Sequence, residues 1–333
     1  MASISFADIQ AAHHRIQHKI KRTPLLESTL LNRWLGQRII FKADCLQTVG
    51  AFKIRGATNF VACLKEQGNL PDHIVANSSG NHAQAVACAA KEFGIPATIF
   101  AAKTISEVKA AATRSYGAEL KLFETRKEAD IAVAEAAREP GTVWIPPYNH
   151  ADIIAGQGTC ALEAIEDAGH ADAIFAPCGG GGLLSGSFIT ARELLPNAKV
   201  IGSEPLLAND AARSIQSGQI ETLMETPDTL ADGAATPCLG DLTFPYIQQL
   251  DEFYEVNEQQ IAYWTQWLQH LLKLHVEPTC AMSMAAVVSW ALSAPPGQTA
   301  IVLITGGNIS QQSMLKIWQT DYLLQPPNIT EQE

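Results

Sequence analysis

The chain has 333 residues, 47% of them apolar and 17% charged, a balance that excludes intrinsic disorder and supports one or two packed cores. Asp and Glu (34) outnumber Lys and Arg (23), giving a formal net charge of -11, which argues against nucleic acid or an anionic membrane surface as a partner. No apolar run approaches the roughly 18 residues needed to cross a bilayer, and the start Met1-Ala-Ser-Ile-Ser lacks the basic and apolar regions of a secretory signal, so a soluble, cytoplasmic protein is expected.

Short β-branched or apolar runs alternate with segments of helical period, and Gly, Pro, Asn or Ser mark the changes. The pattern predicts a strand over 73–77, a turn over 78–81 and an Ala-rich helix over 82–93 stopped by Gly94. A strand over 97–101, a helix over 106–116, a strand over 120–123 and a helix over 128–138 follow, together a small lobe of three or four strands. Beyond Tyr148 come a helix over 158–168, a strand over 173–177, a helix over 183–195, a strand over 200–203 and a last strand over 299–304. A parallel sheet covered by helices is the architecture this predicts. Residues 325–333 read as a loose tail.

Four segments carry chemistry, and several sit at strand-to-helix junctions, where open α/β sheets bind ligands. Cys178-Gly179-Gly180-Gly181-Gly182-Leu183 lets the backbone approach an oxyanion and aim N–H groups at it beside a helix N-terminus. A phosphate fits there. The spacing is neither Gly-x-Gly-x-x-Gly nor a Walker loop, which disfavours a dinucleotide or a nucleoside triphosphate. Ser78-Ser79-Gly80-Asn81-His82 offers hydroxyls, an amide and free N–H groups in one turn, enough for a carboxylate or simply a helix cap. Lys53 lies among small and apolar neighbours in Gly50-Ala51-Phe52-Lys53-Ile54-Arg55-Gly56. Burial there would favour its neutral, nucleophilic amine. Thr305-Gly306-Gly307-Asn308 puts a hydroxyl at the end of the last strand.

In this order the segments resemble the fold type II pyridoxal phosphate enzymes, specifically the serine/threonine dehydratase and serine racemase family. Ile154-Ala155-Gly156-Gln157-Gly158-Thr159, Ala231-Asp232-Gly233 and Val276-Glu277-Pro278 extend the likeness over roughly residues 20 to 310. It implies a tryptophan synthase β-like α/β fold of two open, parallel-rich sheets flanked by helices, with the cofactor between domains. The large cofactor-binding domain would comprise residues 1–65 and 150–322, the small mobile domain 66–149 and the tail 323–333.

By this resemblance Lys53 would bond covalently to the aldehyde of pyridoxal 5'-phosphate and, once freed by substrate, take the Cα proton. Phe52 would flank the ring and Asn81 bond its 3-hydroxyl, while Gly179, Gly180, Gly181, Gly182 and the Leu183 N–H cradle the phosphate. Thr305 would face the pyridine nitrogen, where a hydroxyl cannot hold a proton as an aspartate does, favouring elimination over transamination. Ser78, Ser79, Asn81 and His82 would take the substrate carboxylate, and Ser79 doubles as the second acid/base of serine racemases. Loss of the β-hydroxyl as water and hydrolysis of the released product would give a 2-oxo acid and ammonia from L-serine, L-threonine or a related 3-hydroxy amino acid. The alternatives are an amino-acid racemase, a dehydratase for 3-hydroxyaspartate or a bulky 3-hydroxy amino acid such as phenylserine, and, in another class, a non-catalytic cofactor-binding protein.

Glu204, the Ala208 carbonyl and Asp210 match the racemase branch's divalent-cation site and have the oxygen ligands that Mg²⁺, Mn²⁺ or Ca²⁺ takes. A homodimer is also implied. Departures from the family pattern at Pro147-Tyr148-Asn149-His150 and Thr236-Pro237 point to contacts with the substrate side chain. About 30 residues after Thr305 leave no room for a C-terminal regulatory domain, so isoleucine feedback is not expected. The seven cysteines, never spaced Cys-x-x-Cys, read as reduced thiols. The remaining histidines have no ligand spacing, and Trp264 and Trp267 read as packing.

Overall fold

The structure is a computed structural model and describes residues 3–327. Its strands in chain order are β1 (Leu25–Glu27), β2 (Arg38–Ala43), β3 (His73–Asn77), β4 (Ala97–Ala102), β5 (Glu119–Phe123), β6 (Thr142–Trp144), β7 (Ala173–Pro177), β8 (Lys199–Pro205), β9 (Glu252–Val256) and β10 (Thr299–Ile304). They form a six-stranded sheet of order β1-β2-β10-β7-β8-β9 and a four-stranded sheet of order β5-β4-β3-β6. Only β1 runs antiparallel to its neighbour. β10, Thr-Ala-Ile-Val-Leu-Ile, is buried along its whole length, as a central parallel strand covered on both faces must be. β5 lies at an edge, is largely exposed and carries Glu119 and Lys121, charges that discourage pairing with another chain.

The strands expected over 73–77, 173–177 and 299–304 occur with those bounds. One helix departs from expectation. The pattern predicts a start at 158, yet the helix runs Ala151–Ala168 with Gly156 and Gly158 inside it. His150 caps it, its Nδ1 accepting from the Asp152 N–H at 3.2 Å. The glycines are interior because two neighbouring helices touch its backbone there. A Cβ on Gly156 would lie 2.8 Å from Gly56 Cα in the Lys53–Glu66 helix, and one on Gly158 would lie 3.1 Å from Gly186 Cα in the Gly182–Leu194 helix. Close approach, rather than chain breaking, is what these glycines provide.

Trp264 and Trp267 pack in the core of the larger sheet, and all seven cysteines are free thiols. Of the expected tail, the described part is tied down: the Gln325 carbonyl accepts from Tyr263 Oη at 2.9 Å and Trp267 Nε1 at 3.2 Å. Residues 328–333 lie outside the described residues. No helix among those described is long and apolar enough to cross a membrane.

Candidate active site

Segments that follow the carboxyl ends of β3, β4, β7 and β10 converge on one cavity of about 570 Å³, the location that parallel sheets reserve for ligands. Lys53 enters it from the first turn of its helix. That turn is fixed by the strand-end loop beside it: Phe52 N–H donates to the Thr305 carbonyl at 2.9 Å, Ala51 bridges Gly306, and Gly307 N–H donates to the Gly50 carbonyl at 2.9 Å. The Lys53 amine donates to the Pro147 carbonyl at 2.6 Å and lies 5.2 Å from the Phe52 ring centre. Loss of hydration, with no carboxylate to compensate, pulls it from its ordinary 10.5 to about 8.

On another wall, Gly179 to Gly182 and Leu183 open the Gly182–Leu194 helix. Among the described residues none of their N–H groups donates to a protein acceptor, so they and the positive end of the helix remain available to an anion. Side chains are excluded here. A Cβ on Gly180 would enter the Tyr148 ring, and Gly181 has φ of +86° with a Cβ 2.8 Å from Thr243 Oγ1. Thr243 Oγ1 in turn donates to the Gly180 carbonyl at 2.8 Å and holds the loop's shape.

Ser78, Ser79, Asn81 and His82 occupy the turn into the Asn81–Glu92 helix, whose N-terminus has no side-chain cap. Ser78 Oγ accepts from Gly80 N–H at 3.1 Å. The His82 ring is buried, with Nε2 2.9 Å from the Ile145 carbonyl. Burial and the nearby Lys53 charge push it down to about 3, so the ring is neutral, with Nε2 committed to the Ile145 carbonyl. Asn81 Nδ2 donates to Glu277 Oε1 at 3.0 Å and Oε2 at 2.9 Å, and its Oδ1 accepts from Asn308 Nδ2 at 2.9 Å. Burial, reinforced by Asp232, raises Glu277 to about 7. Thr305 is buried in the cavity wall.

All the expected cofactor and substrate residues thus line one space, and the expected metal ligands lie outside it. Glu204, at the end of β8, accepts from Ala212 N–H at 2.7 Å and Ala211 N–H at 3.1 Å. Asp210 is buried with Oδ2 unpartnered. Desolvation raises Glu204 to about 9 and Asp210 to about 7. Burial, reinforced by Glu204 and Asp210, pushes up the Cys178 thiol at the root of the glycine loop. A buried, unpartnered carboxylate oxygen beside a second carboxylate fits a hard divalent cation.

Sequence reasoning gives no role to Glu277, Lys109 or Arg126, which also line the cavity. Lys109 Nζ pairs with Asp232 Oδ2 at 2.5 Å, and Arg126 Nη1 donates to the Ala235 carbonyl at 3.1 Å. Glu277 sits in a recognisable motif; the two cations look like ordinary helix-surface charges.

The cavity therefore offers a desolvated amine and an array of unused N–H donors, a fit for an aldehyde that also carries a phosphate. The family described as pyridoxal-phosphate dependent enzyme matches residues 16–306. The chain belongs to this family. It is 40% identical over 310 residues to the L-threo-3-hydroxyaspartate ammonia-lyase of Saccharomyces cerevisiae, covering 92% of this chain and 94% of that one. With the serine racemase of Schizosaccharomyces pombe it shares 38% identity, covering 92% and 94% of the two chains. The crystal structure of a threonine deaminase from T.th. superposes with a TM-score of 0.86 at 39% identity, covering 92% of this chain and 99% of that one. The fold is that of the fold type II members, as the sequence resemblance implied.

Proposed function

We propose that the chain is a pyridoxal-phosphate-dependent ammonia-lyase that converts a 3-hydroxy-α-amino acid to a 2-oxo acid and ammonia. The observation that carries this reading is the desolvated Lys53 amine facing the same cavity as the free N–H groups of Gly179 to Leu183. Bound there, the cofactor supplies an electron sink that makes the substrate Cα proton removable. Lys53 bears the cofactor and then takes that proton; its depressed pKa brings the neutral amine within reach of neutral pH. Gly179, Gly180, Gly181, Gly182 and Leu183 hold the phosphate. Phe52 would flank the ring, Asn81, held by Glu277 and Asn308, would bond its 3-hydroxyl, and Thr305 would face the ring nitrogen. Ser78 and the backbone N–H groups opening the Asn81 helix take the substrate carboxylate. The neutral His82 ring, with its Nε2 on the Ile145 carbonyl, has no second N–H to give that carboxylate.

The substrate side chain favoured is a carboxylate, as in 3-hydroxyaspartate. Arg126 lines the cavity, with one N–H on the Ala235 carbonyl and Nε 4.0 Å from Asp130 Oδ2, and two similar proteins, from Saccharomyces cerevisiae and a Pseudomonas species, are ammonia-lyases named for that amino acid. Oxo-acid release from L-serine, L-threonine and threo-3-hydroxyaspartate tests this. The hydroxyaspartate is expected to be turned over with the highest kcat/KM, and Arg126→Met to cost it at least about tenfold, mostly in KM, with little effect on serine. Equal losses on both substrates would remove Arg126 from side-chain recognition. Racemisation is the second reading, supported by Ser79 in the cavity wall; D-serine formed from L-serine faster than pyruvate would establish it.

Glu204, the Ala208 carbonyl and Asp210 are proposed to hold Mg²⁺, or Mn²⁺ or Ca²⁺, as a structural ion beneath the glycine loop. Mg²⁺ is expected to raise the thermal midpoint of the parent protein and not that of Asp210→Asn. A homodimer, a cytoplasmic location, and a small lobe of residues 66–149 that moves against the remainder complete the proposal.

A further inference from the structure

On its far side the Lys53–Glu66 helix is anchored by a buried set of charges that the roles above leave unused. Arg55 is fully buried, and each of its five guanidinium N–H groups has an acceptor. Nε donates to Asp44 Oδ2 at 2.6 Å, Nη2 to Asp44 Oδ1 at 2.9 Å and Glu163 Oε2 at 2.8 Å, and Nη1 to Glu163 Oε1 at 2.9 Å and Thr159 Oγ1 at 3.2 Å. Asp44 also accepts from Thr23 Oγ1 at 2.5 Å. Lys42, equally buried, donates to Glu163 Oε2 and to the Thr23 carbonyl, both at 2.7 Å. The two buried cations face two buried anions, and Lys42 also lies 3.9 Å from the partly exposed Asp167, which pairs with Arg22.

Its acceptors come from two rigid neighbours. Asp44 opens the turn after β2, and Thr159 and Glu163 are one turn apart on the Ala151–Ala168 helix. The distance between the two helices is set at the same place, since a Cβ on Gly156 would lie 2.7 Å from the Arg55 carbonyl oxygen. Backbone contact between glycines fixes how near the helices come and leaves rotation about the helix axis open. A planar guanidinium clamped by two carboxylates closes that freedom, which rounded apolar side chains do not. An α-helix turns about 100° per residue, so Arg55 points about 200° away from Lys53. Pinning one side chain on the back of the first turn therefore aims the other on the front.

We propose that Arg55 is a positioning residue: clamped by Asp44 and Glu163, it fixes the rotation of the Lys53 helix and so aims the Lys53 amine into the cavity. This rests on Lys53 being the residue that bears the cofactor. The test uses holoenzyme carrying Arg55→Met together with Asp44→Asn, in which Lys42 and Glu163 still pair and no buried charge is orphaned. A second variant, Arg55→Lys, keeps the charge and loses the fork. The double variant is expected to unfold within a few degrees of the parent, to have kcat lowered by about 10- to 100-fold with KM within about threefold, and to show a displaced pH midpoint of the cofactor's visible band. Arg55→Lys should recover part of both losses. Parental kcat and band in either folded variant would overturn the proposal, and failure of both variants to fold would overturn it by assigning the cluster to stability. Borohydride reduction of the parent separates the two readings. Label on another lysine sinks the cofactor assignment; label on Lys53 with kcat unmoved in the variants sinks only the positioning role.

Discussion

Lys53 is a half-buried lysine with a carbonyl instead of a carboxylate as partner, and loss of hydration lowers its pKa. A buried ion pair would have held its proton; the Pro147 carbonyl does not. Capture of the cofactor by cofactor-free protein needs the neutral amine, so its rate, followed by the visible band, should rise with pH to a midpoint near about 8. A midpoint near the ordinary 10.5 would show that Lys53 is hydrated. The stability of the cofactor-free protein should move the same way. Between about 8 and 10.5 the unfolded chain binds more protons at this residue than the folded one, so this group makes stability rise with pH across that window. Much of this was legible: small and apolar neighbours around one lysine predict desolvation. The fate of the His82 ring was not, because its acceptor, Ile145, lies 63 residues away.

The Ala151–Ala168 helix touches both the helix that begins at Lys53 and the helix that begins at the glycine loop, each through a glycine pair. It thereby sets the spacing between the Lys53 amine and the glycine loop. Gly158→Ala would put a methyl group 2.9 Å from Ile9 Cδ1 and 3.1 Å from the Gly186 backbone. The isoleucine can turn aside and the backbone cannot. A loss of about 1–3 kcal/mol in unfolding free energy is expected from denaturant titration, together with weaker cofactor retention; an unchanged midpoint would mean that the helices slide freely. The local pattern misplaces this helix start because a glycine that permits close packing and a glycine that ends a helix look alike in sequence. Strands and glycine loops are easier to read, since their signals are contiguous.

At the scale of the whole molecule, the four-stranded sheet and the six-stranded sheet face each other across the cavity and are tied by polar contacts at its rim. Lys109 meets Asp232, Arg126 meets Ala235, and Asn81 meets Glu277 and Asn308. These partners are 109 or more residues apart in sequence, and no periodicity or motif predicts them. The Lys109–Asp232 pair can be probed directly, since Lys109 is buried and its pKa is raised chiefly by the carboxylate against the pull of desolvation. Lys109→Met should raise KM severalfold with a smaller effect on kcat, and speed amide exchange in residues 78–82. Unchanged KM and exchange would show that the pair does not hold the cavity closed.

The proposed attachment of the cofactor to Lys53 in this cavity is tested most directly by borohydride reduction of holoenzyme followed by peptide mass mapping. A single phosphopyridoxyl group on Lys53 is the predicted result. Modification of any other lysine, or an unmodified Lys53 in protein that shows the cofactor's visible band before reduction, would contradict it.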